Sequence, residues 1–204
     1  MSKLIIRMFL CFGWLLAVGG GFLVLMNYQG AAGAMGNTPH DWPPASALRL
    51  TPGRNNLLMF VHPKCPCSAA SIEELNRLLA TTGGKFSTRV LFFKPSHVPN
   101  DWTDTSLYRA VVSLPGVTAL DDIDGKEARR FGAMTSGCVV LFGPSGDLLF
   151  RGGITSGRGH AGDNPGENAL VALLQGQDTA THQTPVFGCD LLDKSCAPGP
   201  ATTP

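Results

Sequence analysis

Residues 8–26 contain no charged side chain, and Lys3 and Arg7 stand just before them. A helix of that length rises about 28 Å, against a hydrocarbon core of about 30 Å. Such a segment can cross a bilayer, and it forces everything after it onto one side. Basic residues before the run and none directly after it predict a cytoplasmic N-terminus and an external remainder. Ala32-Gly33-Ala34 also fits the small-residue pattern of a cleaved signal peptide. The apolar part of such peptides is usually about 7 to 15 residues, so the longer run points to an uncleaved anchor.

The chain has 204 residues, 44% hydrophobic and 15% charged, enough for one globular domain beyond the anchor. Its 16 Lys and Arg nearly balance 15 Asp and Glu, so no electrostatic footprint speaks for a nucleic-acid partner. Of six cysteines, Cys11 lies in the apolar segment and reads as a small filler. Cys65, Cys67, Cys138, Cys189 and Cys196 remain outside. In an oxidising space an odd number leaves at least one thiol free, catalytic, metal-bound or paired with another chain.

The organisation expected is an anchor at 1–27, a linker at 28–47, a domain at 48–176 and a cysteine-containing tail at 177–204. The linker is rich in Gly, Ala and Pro and reads as a tether. The run 57–62 suits a buried strand, and 68–80 carries Ile72, Leu75, Leu78 and Leu79 at helical spacing. Further strands are expected at 86–94, 117–120, 138–142 and 148–151, the last two forming a hairpin around Gly143-Pro144-Ser145-Gly146-Asp147. Helices are expected at 101–114, at 124–131 with Asp124 as N-cap, and at 167–174. Strands alternating with helices imply a largely parallel sheet covered on both faces. The tail is polar apart from the island Pro185-Val186-Phe187-Gly188-Cys189, and Cys189 with Cys196 reads as a local disulfide.

The chemistry concentrates in His62-Pro63-Lys64-Cys65-Pro66-Cys67-Ser68, where a strand ends at two thiols and a helix begins. A thiol at a helix N-terminus faces unpaired N–H groups and the positive end of the macrodipole, which stabilise its thiolate. Two thiols there suggest redox or metal chemistry. Lys64 and His62 either add a favourable cation or are, respectively, solvated and capping the strand end. Ser68 has the simpler reading of satisfying N–H groups in the first turn. The letters G-x-G-x-x-G at 157–162 are no dinucleotide fingerprint, because they follow a hairpin strand and no βαβ unit is completed. That loop, with Arg158, His160, Asp163 and Asn164, is either a rim of the site or an ordinary connection.

The element order, with cysteines where the first strand meets its helix, resembles the thioredoxin fold, in particular its membrane-tethered extracytoplasmic thiol-disulfide members. Asp124-Gly125, the stretch 128–133, Cys138-Val139-Val140-Leu141-Phe142 and Gly146-Asp147 resemble the short helix, facing loop and hairpin of such proteins. The whole chain is also similar to RedB-like bacterial membrane-associated proteins, a name that supplies no mechanism. The resemblance implies an α/β, three-layer sandwich with a mixed central sheet behind one transmembrane helix, in a bacterial inner membrane with the domain in the periplasm or at the cell exterior. It implies exchange with protein thiols or disulfides, possession of a redox partner protein and no organic cofactor. Cys65 is then the attacking thiolate, resolved by Cys67 or by Cys138.

Two departures from that pattern matter. The family motif is Cys-x-x-Cys, whereas here Ser68 holds the second position and Cys67 comes one residue early. Helical residues two apart project roughly 160° apart, so Cys65 and Cys67 can bond only if Cys65 lies outside the regular helix, as Pro66 at its first position allows. Such a bond is expected to be strained and oxidising. In the facing loop, Gly137 stands where the family has a cis-proline, with Cys138 just after it. A binding protein is the alternative, with Cys65, Cys67, His62 and His160, or the tail cysteines, holding Cu(I) or Zn(II). A scaffold that kept the fold and lost its activity is the third reading.

Overall fold

The computed structural model describes residues 2–193; Cys196, and with it the expected pairing to Cys189, lies outside the described residues. Helix α1 (Ser2–Gly30) is apolar, with residues 3–30 long enough to cross a membrane and none of that window buried by the domain. The domain then runs β1 (Asn56–Val61), α2 (Ser68–Thr82), β2 (Ser87–Lys94), a 3-10 turn (Asn100–Thr103), α3 (Ser106–Val112) and β3 (Val117–Ile123). It closes with α4 (Lys126–Arg130), β4 (Cys138–Phe142), β5 (Leu148–Gly152) and α5 (Pro165–Leu174).

The five strands form one sheet in the order β3-β2-β1-β4-β5. β1 and β2 are parallel, as are β2 and β3, while β4 runs antiparallel to β1 and to β5. This is the mixed, thioredoxin-like sheet expected. β1 is buried throughout because both faces are covered. Its side chains alternate: Leu57, Met59 and Val61 meet Ile72, Leu75 and Leu78 of α2, Val111 of α3 and Leu170 of α5. Leu58 and Phe60 turn to the other face, with Phe93, Phe131, Val140 and Phe142.

That second face is covered by the short α4 and by two irregular segments from the ends of the domain. Residues expected as a free linker lie against it: Trp42 stacks edge-on against Phe131 and Phe142, at 5.1 and 5.3 Å, and its backbone N–H donates to the Gly146 carbonyl at 2.7 Å. Val186 and Leu191, placed in the tail by sequence, are buried in the same cluster. The long expected helix at 101–114 divides into the 3-10 turn and α3, because Thr105 adopts an extended backbone and caps α3 with its hydroxyl. At α4 the expected cap Asp124 is replaced by Asp122, whose carboxylate accepts the N–H groups of Glu127 and Ala128 at 2.9 Å each. Asp124 instead accepts the Ser96 N–H.

Candidate functional site: a three-thiol corner

β1 ends at Val61, and the chain then makes a tight turn before α2. Cys65 N–H donates to the His62 carbonyl and Ser68 N–H to the Cys65 carbonyl, at 3.0 and 3.2 Å. Cys67 is the cap of α2, so Cys65 does stand outside the regular helix. The sulfurs of Cys65, Cys67 and Cys189 all lie within 4.8 Å of one another. The third member, Cys189, is expected from sequence only as half of a tail disulfide or as an alternative metal ligand, not as part of the exchange site.

Cys189 arrives on a strap formed by the chain after α5. Thr135 and Asp190 make an antiparallel bridge, Ser136 N–H donates to the Cys189 carbonyl and Leu191 N–H to the Met134 carbonyl, both at 2.9 Å. Gly188 is required by close approach: a Cβ there would collide with the Ser136 carbonyl oxygen. Ser136 also ties the floor of the corner, since its hydroxyl accepts the His62 N–H at 2.8 Å and meets the Ser68 hydroxyl at 2.7 Å. The result is a roof over Cys65, which is only 1% exposed, while Cys67 and Cys189 are half-buried.

The three thiols are not equivalent. Burial pushes the Cys65 thiol up, but hydrogen bonds from Ser68 and Cys189, through side chain and backbone in each case, outweigh it and leave Cys65 below the ordinary thiol value. Burial and the neighbouring Cys65 raise Cys67. Burial, then the hydrogen bond to Cys65 and the charges of Cys65 and Cys67, push Cys189 up to about 12. The corner therefore holds its first negative charge on Cys65. The charge of Arg158 opposes the rise at both Cys67 and Cys189 without overcoming it. It belongs to the glycine-rich loop, donates to the Gly188 carbonyl, and sets its guanidinium 4.9 Å from the Tyr28 ring at the end of α1.

The other candidates from sequence lie elsewhere. Cys138 opens β4 opposite Phe60 and is buried in the second-face core, where burial pushes its thiol up to about 12. Gly137, before it, adopts a φ of +90°, and a Cβ there would come within 2.7 Å of the Ser71 hydroxyl. His62 is buried and held below its usual range chiefly by that burial; its Nε2 meets the Asp193 carbonyl and its Nδ1 accepts the Lys64 N–H. Lys64 lays its ammonium 3.7 Å from the Trp102 ring. His160 is exposed, with Nδ1 on the Arg158 carbonyl. Neither histidine joins the three sulfurs as a ligand cluster among the described residues.

No known protein family matches the chain, and no curated protein does. Solved structures do. A hypothetical protein from Sinorhizobium meliloti is 18% identical with a TM-score of 0.59, over 82% of this chain and 98% of that one. An uncharacterized conserved protein from Geobacillus kaustophilus is 19% identical with a TM-score of 0.58, over 82% and 95%. A secreted disulfide oxidoreductase of Mycobacterium tuberculosis matches less fully, at 16% identity and a TM-score of 0.45 over 61% and 83%. The strand order and strand directions are those of the thioredoxin-like fold.

Proposed function

We propose that this thioredoxin-like chain carries out thiol-disulfide exchange on extracytoplasmic proteins, anchored in a bacterial inner membrane by α1. The observation that carries the reading is the convergence of thiols at the start of α2: the sulfurs of Cys65, Cys67 and Cys189 lie within 4.8 Å of one another, and Ser68 with Cys189 draws Cys65 below the ordinary thiol value despite its burial. A sulfur so placed is stabilised as the thiolate, which is the nucleophile of exchange.

The Cys65 thiolate attacks a substrate disulfide, forms a mixed disulfide and releases one substrate thiolate. Cys67, whose sulfur lies within 4.8 Å, then attacks the Cys65 sulfur and releases the second. Two electrons and the two thiol protons pass to the substrate, and a redox partner protein restores the dithiol. Cys138 is less suited to resolve, because it sits inside the core as a protonated thiol. Since Cys65 is roofed by the strap, substrate reaches it when residues 188–190 lift.

The test is the full chain in detergent, assayed for reduction, oxidation and isomerisation of protein disulfides. Cys65→Ser is expected to abolish all three. Full retention of them would end this reading.

A further inference from the structure

We infer that the three sulfurs of Cys65, Cys67 and Cys189 form a trigonal Cu(I) site in the reduced protein. This goes beyond exchange chemistry and rests on the geometry of the corner alone.

A metal-thiolate bond of about 2.3 Å in a trigonal plane places its sulfurs about 4.0 Å apart. The three sulfurs here lie within 4.8 Å of one another, so a few tenths of an ångström of side-chain motion close them around one ion. Residues two apart cannot share one helix face, but Cys65 before α2 and Cys67 at its cap flank a single point from one turn. The strap supplies the third ligand from the opposite side, fixed by backbone bonds at Cys189 and Leu191 and by the close approach of Gly188 to Ser136.

The donor set selects the metal. Zn(II) in a structural site asks for four ligands, and no histidine or carboxylate completes the cluster among the described residues. Both ring nitrogens of His62 are engaged, with Lys64 and Asp193, and Nδ1 of His160 is held on its own loop by the Arg158 carbonyl. Three soft thiolates, with no histidine or carboxylate in the cluster among the described residues, suit Cu(I). A monovalent ion in three thiolates leaves two negative charges, and the Arg158 guanidinium, bound to the Gly188 carbonyl, stands beside them. The roof over Cys65 keeps water from the ion.

The experiment uses the full chain in detergent, reduced and titrated anaerobically with Cu(I) against a chromophoric chelator, followed by X-ray absorption at the copper edge. One tightly held Cu(I) per chain with three sulfurs in its first shell is expected. Cys189→Ser should weaken binding on the order of 100-fold, at least what loss of an outer-shell partner costs a metal site. Gly188→Ala, which leaves every sulfur in place but displaces the strap, should weaken it about 10-fold or more. Cys138→Ala should bind as the parent does. A first shell of two sulfurs, a nitrogen or oxygen ligand, preference for Zn(II) in equal competition, or unchanged affinity in Cys189→Ser would each overturn the site. The absorption result on the parent protein needs no variant to fold. Because the exchange assay contains no metal and the titration contains no disulfide, either reading can fail without the other.

Discussion

The two faces of the sheet are both dry, yet they are built differently. The first is covered by α2, α3 and α5, whose apolar residues recur at helical spacing and meet Leu57, Met59 and Val61. The second has the five-residue α4 as its helix, and the rest of its cover includes Met35, Trp42 and Leu48 from before β1 and Val186, Leu191 and Leu192 from after α5. Each face also buries a glutamate in the first turn of a helix, and the two are treated oppositely. Glu127 of α4 accepts the Ala47 N–H at 3.1 Å and the Ser46 hydroxyl, donors from the N-terminal segment. Glu167 of α5 faces Glu74, and burial followed by that neighbour pushes it up to about 7. One face is thus closed by autonomous helices, and the other by irregular chain that must be pinned bond by bond. The pinned face is the one whose strap carries a thiol into the site.

The widest separation should appear in thiol labelling. Cys138 needs global unfolding to react, whereas Cys67 and Cys189 need only the strap to lift; at neutral pH alkylation of Cys67 should outrun that of Cys138 on the order of 1000-fold or more. Mass spectrometry of a labelling time course gives the ratio, and equal rates would mean that the strap opens only with the whole domain. Next, Leu75→Ala on the helical face and Leu191→Ala on the strapped face are each expected to cost about 2–5 kcal/mol in denaturant unfolding, since both side chains are buried. A cost below about 0.5 kcal/mol for Leu191→Ala would show the strap to be a detachable flap.

Glu167 offers a smaller, pH-dependent effect. Its folded-state value of about 7 lies above the unbound carboxylate value of 4.5, so the folded chain keeps a proton that the unfolded chain releases. Its contribution to stability is whole below about 4.5 and is lost as pH rises towards 7. Glu167→Gln should lack that decline, so the difference in stability between variant and parent should change across the window from about pH 4.5 to 7; a difference independent of pH there would refute the protonated pair. Smallest, Asn164→Ala removes the cap that accepts the Glu167 N–H at 2.9 Å and should cost about 1 kcal/mol on the helical face. Chemical denaturation checks it, and no loss would show α5 to be held by packing alone.

The helical face was largely legible from sequence, since period and caps are local: α2 and β4 begin where the pattern of Ile72, Leu75 and Leu78 and the run from Cys138 place them. The thiol pair at 65 and 67 was legible for the same reason. The strapped face was not. Residues 33–48 and 183–191 carry no period, and their partners lie across the chain, so Pro-rich composition read them as linker and tail. Cys189 reads from sequence as the partner of Cys196, which lies outside the described residues, and among the described residues its sulfur neighbours are Cys65 and Cys67. Two signals did point to it: the apolar island at 185–189, which had to be buried somewhere, and the odd number of external cysteines. Arg158 was noticed only as part of a loop, because nothing in a sequence says which carbonyl a guanidinium will find.

Arg158 has one further consequence. The same residue whose side chain holds the Gly188 carbonyl also donates its N–H to the Gln29 carbonyl at 3.0 Å and lies over Tyr28, so a single amino acid clasps the sulfur-bearing strap to the last turn of the apolar helix. Were that helix to lie in a lipid bilayer, as proposed, the clasp would hold the sulfurs close to the headgroups even when the strap lifts, and a partner would find them by a search over a plane instead of through a volume.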